Sequence, residues 1–150
     1  MAAFGNGNQA MTDLLKEVDL FSACTRKELR QLQSLMSMTK ARSGQVLAKK
    51  GSLGREFFVI VDGEATATCS GERVARLERG SFFGELALLD GGPRTATVTA
   101  VTDMRLLVLT RREFQELITS QPSIVIKMLV ELGARLRRTD EMFERALPAI

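Results

Sequence analysis

The sequence predicts a mainly β domain, a barrel or roll, with helices at both ends of the chain. From about Thr39 to Thr110 the chain consists of short apolar or alternating runs separated by glycines, which is typical of a closed antiparallel β structure. On either side of that stretch, apolar residues recur at helical spacing. The 150 residues, 45% of them hydrophobic, are enough for one real core, so we expect a single domain over residues 12–150.

The N-terminal segment is predicted to contain little structure before a short helix. Residues 1–11 are rich in glycine, asparagine and alanine, and we expect them to form a flexible tail. The helix that follows should have Thr12 as its N-cap, with Leu14, Leu15 and Val18 on its buried face.

A second helix is predicted by a capping box at Thr25 and Glu28. In a capping box the hydroxyl and the carboxylate each accept a hydrogen bond from the other residue's backbone amide. The residues Leu29, Leu32 and Leu35 then supply the buried stripe of this helix.

The central β region divides into six predicted strands. They cover residues 45–49, 56–62, 65–69, 73–77, 95–101 and 104–110. Asp62-Gly63 is a strong hairpin signal because glycine accepts a positive φ at little steric cost. Ser70-Gly71 and Thr102-Asp103 are further candidate turns.

The chain returns to helix after the last strand. Thr110 and Glu113 form another capping box, and Pro122 suits the first turn of a long helix over about residues 122–147. The apolar seam along that helix comprises Val125, Leu129, Leu132, Leu136, Thr139 and Phe143. Its alternating spacings of four and three predict a parallel coiled-coil homodimer, whereas the alternative is a helix that covers the barrel of its own chain.

Composition narrows the function. Histidine is absent, which removes the commonest general base and the commonest metal ligand, so we expect neither an enzyme nor a cofactor or metal. Cys24 and Cys69 lie far apart without metal-binding spacing, and no disulfide framework is expected. No apolar run reaches the roughly 18 residues of a membrane span, and the N-terminus is unlike a signal peptide, so we expect a cytoplasmic protein without membrane contact.

The segment GSFFGELALLDGGPRTATV carries the most functional information. Gly84 would let the backbone approach a ligand closely, and the amides of Glu85, Leu86 and Ala87 would face an anion. Arg94 would add a bidentate contact to a phosphate. Because Glu85 would repel that phosphate, it would have to bind a neutral donor such as a ribose hydroxyl. Spacing alone leaves open the alternative that Glu85 and Arg94 pair with each other.

Within this segment, FGELALLDGGPRTATV resembles the phosphate-binding cassette of the cyclic-nucleotide-binding domain family, which includes catabolite-activator regulators, kinase regulatory subunits and cyclic-nucleotide-gated channels. The resemblance extends from Leu20 and Phe21 to the helices after Thr110. It implies an eight-stranded, jelly-roll-like β-roll with N-terminal helices, a long C-terminal helix and a nucleotide inside the roll.

The resemblance also implies roles for individual residues. Glu85 would accept a hydrogen bond from the ribose 2′-hydroxyl, and Arg94 would bind the oxygens of the cyclic phosphate. The assisting backbone amides would be those of Gly84, Leu86, Thr95 and Ala96. The Thr95 hydroxyl occurs in binders of both cAMP and cGMP and favours cGMP only weakly.

Extended along the C-terminal helix, the same resemblance implies three further ligand-binding residues. Arg135 would reach Glu85 and the ribose, and Thr139 would meet the purine edge, in a dimer from the partner subunit. Asp140 departs from the small hydroxyl residue of cAMP-responsive regulators, and its carboxylate would suit the guanine N1 and N2 donors. A solvated helix face is the alternative for all three residues.

We therefore expect a regulatory sensor that binds cAMP, moves its C-terminal helix on binding and signals to an unidentified protein partner. One alternative is a cGMP sensor. Another is the ligand-binding half of a catabolite-activator-type regulator without its DNA-binding domain. Direct DNA binding is not expected, because the required helix-turn-helix would begin only after Ile150.

Overall fold

The computed structural model describes the backbone of residues 2–146 and the side chains of residues 7–142 and 145. Its strands are β1 (Ser37–Ala41), β2 (Val46–Ala48), β3 (Glu56–Asp62), β4 (Ala65–Cys69), β5 (Glu72–Leu77), β6 (Phe82–Phe83), β7 (Thr97–Ala100) and β8 (Met104–Thr110). They form two antiparallel four-stranded sheets, ordered β1-β8-β3-β6 and β2-β7-β4-β5. The predicted β-roll with flanking helices is confirmed.

The helices are α1 (Ala2–Glu17), α2 (Arg26–Leu35), α3 (Glu85–Leu89), α4 (Arg111–Ser120) and α5 (Pro122–Ala146), with a 3-10 turn at Asp19–Phe21. Residue 147, the predicted end of the long helix, lies outside the described residues. Both predicted capping boxes are confirmed. The backbone amides of Thr25 and Thr110 donate to Glu28 and Glu113 at 2.8 and 3.0 Å, and the threonine hydroxyls accept in return.

The N-terminal prediction is wrong about where the first helix begins. Residues 2–11, expected to form a loose tail, are helical, whereas Met1 lies outside the described residues. Thr12 is therefore inside α1, where its hydroxyl lies 3.0 Å from the Asn8 carbonyl and 2.9 Å from Gln33 Oε1. No proline interrupts this stretch, and it continues into the fully buried Leu14 and Leu15, so a helix anchored there extends back over the glycines despite their low helix propensity.

Strand β3 is buried on both faces, which explains its continuous apolar run. Phe57, Val59 and Val61 face a core shared with the helices, whereas Phe58 and Ile60 face the core between the two sheets. Strand β8 alternates in the same way between the two cores. These two central strands therefore connect the helical layer to the interior of the roll.

Two of the predicted turns connect strands of different sheets. Ser70-Gly71 closes the β4–β5 hairpin as expected, with φ of 55° and 82°. Gly63 takes the expected positive φ of 95°, but β3 and β4 belong to different sheets, so the prediction of a hairpin there is wrong. Thr102-Asp103 likewise leads from one sheet to the other. Strands β1 and β6 were not predicted, because β1 is exposed at four of its five residues and β6 has two residues.

Helix α5 packs on the roll through one edge of its apolar surface. Ile124, Val125 and Met128 are buried in the helical core, and Leu132 packs partly against it. The predicted seam is therefore wrong for Val125 and Leu132, which contact the core of their own chain, whereas Leu129 and Leu136 remain 49% and 62% exposed. The Phe143 side chain lies outside the described residues. No described helix is long and apolar enough to cross a membrane alone. Helices α4 and α5 together have the length and composition of a span, but they are bent at 114° to each other.

Candidate functional site

A pocket lies at the mouth of the roll, where α3 and the segment before β7 face each other. The space between its walls is about 440 Å³, including the part that is open to solvent. Seven predicted residues line it: Gly84, Glu85, Leu86, Ala87, Arg94, Thr95 and Ala96. Backbone and charged groups converge there with apolar side chains, as they do in small-ligand sites.

Gly84 determines how α3 enters the pocket wall. It caps α3 in the left-handed conformation, with φ 87° and ψ 15°, which side chains rarely adopt. Three and four residues later, Ala87 and Leu88 are buried, so α3 is anchored from behind while Glu85 and Leu86 remain at the pocket. The sequence Gly-Glu-Leu-Ala therefore fixes the position of the Glu85 carboxylate through one turn of helix.

The backbone around Arg94 is fixed by a neighbouring loop. Arg94 N donates to Ser52 O at 2.8 Å, and Gly51 N donates to Arg94 O at 2.8 Å. A β-bridge between Leu53 and Pro93 completes this pairing. The arginine therefore projects from a segment whose backbone is paired with a second segment, rather than from a free loop.

The Arg94 guanidinium lies between two glycines and over an aromatic ring. A Cβ atom at Gly54 would overlap Nε and Cζ of Arg94, and one at Gly84 would lie 2.5 Å from Nη1. The guanidinium carbon is 5.9 Å from the centre of the Phe58 ring, which itself stacks on Phe83 at 4.7 Å. Glycine at both positions is what allows the charged group to reach the pocket.

Arg94 Nη1 is buried and has no hydrogen-bond partner among the described residues. Burial lowers the pKa of Arg94, while the nearby Glu56 and Glu85 carboxylates raise it. No ion pair joins Glu85 to Arg94 within the described part of the chain, so the alternative that they pair with each other is not observed. A buried, unpaired donor is costly to a protein, and an anionic ligand would satisfy it.

Replacing Gly84 by alanine is expected to destabilise the fold by at least about 2 kcal/mol. The new Cβ would lie 2.6 Å from Glu56 O and 2.5 Å from Arg94 Nη1, in addition to the strain of a positive φ. Gly71→Ala is the matched control, because Gly71 has φ 82° with open space around it and should lose about 1 kcal/mol. Urea unfolding measures both losses, and equal losses would contradict a tight approach at Gly84.

The structure does not bring the predicted residues of α5 to the pocket. Arg135 Cζ lies 5.2 Å above the Phe82 ring, at a second cleft between α5 and the β5–β6 loop. The exposed Thr139 donates its hydroxyl to the Arg135 carbonyl at 3.1 Å, and Asp140 is also exposed. In this single chain they occupy the helix surface, and their contact with a ligand stays a prediction.

Sequence reasoning missed several residues that complete the pocket. Phe83, Pro93 and Val98 line it, and Gly54 accommodates the arginine. Gly54 is distant in sequence from Arg94, so only the pairing of the two loops brings them together. Among the described residues, no cluster of His, Cys, Asp or Glu has the arrangement of a metal site.

Comparison with known proteins gives a family match over the roll and α4. The family model described as "Cyclic nucleotide-binding domain" matches residues 38–121, which include the whole pocket. It therefore covers more than half of the 150-residue chain.

Relatives and a solved structure agree with this match. The chain is 35% identical over 106 residues, 71% of its length, to the cAMP-dependent protein kinase regulatory subunit of Hypocrea atroviridis. It is 33% identical over 107 residues, again 71% of its length, to the cGMP-dependent protein kinase egl-4 of Caenorhabditis briggsae. The matches span 23% and 14% of those relatives. The N-terminal domain of a transcriptional regulator from Streptomyces coelicolor superposes with a TM-score of 0.78 and 29% identity, over 87% of this chain and 94% of the other.

Proposed function

We propose that this chain, which belongs to the cyclic nucleotide-binding domain family, is a sensor module that binds cAMP and performs no chemistry on it. The observation that carries the proposal is the buried Nη1 of Arg94, which has no partner among the described residues and lines a pocket beside the Glu85 carboxylate. A cyclic phosphate would supply the missing acceptor oxygens, and the burial around Arg94 would strengthen that contact.

In this proposal the phosphate of the nucleotide contacts Arg94 and the ribose contacts Glu85. Glu85 accepts from the ribose 2′-hydroxyl, a neutral donor beside the phosphate. The backbone amides of Gly84, Leu86, Thr95 and Ala96 assist, because all four residues line the same pocket. The guanidinium and the carboxylate are both present without being paired to each other in the described part of the chain, which leaves each available to a ligand.

The competing ligand is cGMP. One relative is named as cAMP-dependent and another as cGMP-dependent, and the sequence identities of 35% and 33% are nearly equal. Thr95 is exposed at the pocket and offers a hydroxyl to either base. We place cAMP first because Asp140, the acidic group suited to guanine, lies on the exposed surface of α5.

Calorimetric titration with cAMP, cGMP and AMP tests this function on the full chain. A cyclic nucleotide should bind at one site per chain, and AMP should bind at least about tenfold more weakly, because its open phosphate carries more charge beside Glu85. Comparable affinity for AMP, or no binding of either cyclic nucleotide, would contradict the proposal. A higher affinity for cGMP would replace cAMP as the ligand.

Ligand binding is proposed to alter the position of α5. Arg135 of α5 lies over Phe82, and Phe82 is followed by Phe83 and Gly84 of the pocket wall. A ligand that shifts β6 therefore acts directly on a contact that holds α5. Such coupling requires the ligand to prefer one arrangement of the helix over the other.

We also propose that α5 forms a parallel homodimer. Its outer surface exposes Ile126, Leu129, Val130 and Leu136 at 49% to 69%. An apolar surface of this kind on a solvent-facing helix favours packing against a second helix.

Replacing Leu129 and Leu136 together by glutamate is expected to convert a dimer into a monomer. Charged residues at buried seam positions would remain unpaired between the helices, at a cost of several kcal/mol. Sedimentation velocity at micromolar concentration measures the change. Val74→Glu is the control, because Val74 is 61% exposed on β5 and should leave the dimer intact. A monomeric wild-type chain would contradict the proposal.

The chain spans less than a third of the length of the two curated relatives that it was compared with, so its wider role is a proposal. We propose a cytoplasmic module that transmits nucleotide binding to a protein partner. The ligand-binding half of a catabolite-activator-type regulator is the second candidate, favoured by the superposition on the Streptomyces domain over 94% of its length. In either case the described residues would bind the nucleotide rather than DNA.

A further inference from the structure

Three arginines lie together on the surface beside the pocket, outside the proposed nucleotide site. Arg55 precedes β3, and Arg111 and Arg112 begin α4, where Arg111 N donates to Arg55 O at 2.8 Å. Together with Glu56, Thr110 and Gln115, these residues line one shallow cleft, here called the arginine cleft. This backbone hydrogen bond holds the two segments together, so the three side chains start from neighbouring positions.

The charge of the arginine cleft is not neutralised within the described part of the chain. None of its three arginines forms an ion pair there, whereas Arg26, Arg76, Arg105 and Arg138 each do. Glu56 is the one carboxylate that lines the cleft, against three guanidinium groups. Asp90, on the neighbouring loop, accepts a hydrogen bond from Gly92 N at 2.8 Å. The cleft is therefore a local excess of positive charge.

Apolar side chains lie beside this charge. Arg111 packs so closely on Gly91 that a Cβ there would overlap its guanidinium, which brings the cleft against the loop that follows α3. Leu89, the last residue of α3 and two residues before Gly91, is 42% exposed. Guanidinium groups next to an exposed leucine form a surface with both charge and apolar area, as protein interfaces do.

We propose that the arginine cleft docks an acidic segment of a partner protein. Carboxylates of the segment pair with Arg55, Arg111 and Arg112 in bidentate geometry, and an apolar residue of the segment covers Leu89. Arg55 and Arg112 are exposed on an open surface. An extended peptide reaches charges spread over two segments better than one small anion does. The docking goes beyond nucleotide binding and needs no nucleotide.

Fluorescence anisotropy with a labelled peptide of repeated Glu-Glu-Leu units tests the docking on the full chain without nucleotide. The peptide should bind, and its affinity should fall as salt rises from about 50 to about 300 mM. The Arg55→Glu/Arg112→Glu double variant should bind at least about tenfold more weakly, because two attractions become repulsions. Arg111 is left intact, since it packs on Gly91.

The matched control is Lys40→Glu/Arg42→Glu. It makes the same change in net charge at exposed positions near the opposite end of β8, and it should keep the wild-type affinity. Circular dichroism verifies that both variants fold. An equal loss in the control variant, no peptide binding, or equal binding of a Lys-Lys-Leu peptide would overturn the proposal. Displacement of the peptide by micromolar inorganic phosphate, or binding to phosphatidylserine vesicles without binding to the peptide, would also overturn it.

Discussion

Arg94→Ala should weaken cyclic-nucleotide binding by about 30-fold to several thousand-fold, which corresponds to roughly 2 to 5 kcal/mol. The guanidinium is held between Gly54 and Gly84 with its Nη1 buried and unpaired within the described residues, so its position is set before a ligand arrives. A preorganised cation loses little side-chain entropy on binding. Calorimetry with cAMP and cGMP on the variant and the wild type measures the loss.

The same substitution should leave the free protein nearly as stable as the wild type. Removing Nη1 relieves the cost of a buried donor without a partner, about 1 to 3 kcal/mol, and this offsets the packing lost over Phe58. The free energy of unfolding in urea should therefore change by less than about 1 kcal/mol. A large loss of affinity with little loss of stability identifies a residue that serves the ligand rather than the fold.

Arg94→Lys provides the matched control for charge. Lysine keeps the positive charge but lacks the planar fork, so it should recover only part of the affinity. If Arg94→Lys bound as tightly as the wild type, the bidentate contact would be excluded. If Arg94→Ala lost stability as heavily as affinity, the arginine would be a structural residue and the proposed site would lose its main support.

Local signals in the sequence predicted most of the fold. The capping boxes at Thr25 and Thr110 depend on residues three apart, and strands β3, β4 and β8 follow from short runs bounded by turns, so these elements agree with the structure. What failed depends on distant packing. Asp62-Gly63 has the chemistry of a hairpin, but the strands on either side pair with other partners. The local sequence does not indicate which strands pair with each other.

The pocket shows the same division. Its seven predicted residues lie in one continuous segment, and all of them line it. Gly54, by contrast, reaches Arg94 only because the loop at Gly51–Gly54 pairs with the chain at Arg94, and no spacing in the sequence indicates this. Arg135 is placed by how α5 packs as a whole. A helix can meet its own roll or a partner at many angles, so the amphipathic pattern alone does not determine its contacts.

Glu28→Gln is expected to lower the free energy of unfolding by about 1.5 to 3 kcal/mol. Glu28 accepts from Lys127 Nζ at 2.5 Å and from the Ser123 hydroxyl at 2.6 Å, and thereby joins α2 to the first turns of α5. It is 9% exposed, so water replaces these contacts poorly. Glutamine removes the charge, but it can still close the capping box with Thr25, because a capping box accepts either residue.

Glu113→Gln is the control that separates the capping role of Glu28 from its contacts with α5. Glu113 closes the capping box of α4 in the same way, and no ion pair involves it among the described residues. Its replacement should therefore cost less than about 0.5 kcal/mol. Equal losses in the two variants, measured by urea unfolding at neutral pH, would assign the effect to capping and contradict the tie between α2 and α5.

The pH dependence of the free energy of unfolding tests independently whether the ionised Glu28 carboxylate stabilises the fold. Hydrogen bonds from Lys127, Ser123 and the Thr25 amide lower the pKa of Glu28 from 4.5 to about 2. A carboxyl whose pKa is lower in the folded state contributes its stability above the unfolded value and loses it as the pH falls toward the folded value. The difference between the wild type and Glu28→Gln should therefore be constant above about pH 5, shrink as the pH falls from 4.5 to 2, and be mostly lost at pH 2. A difference that stayed constant through this window would mean that the ionised carboxylate does not stabilise the attachment of α5, because glutamine would then differ from it only in packing.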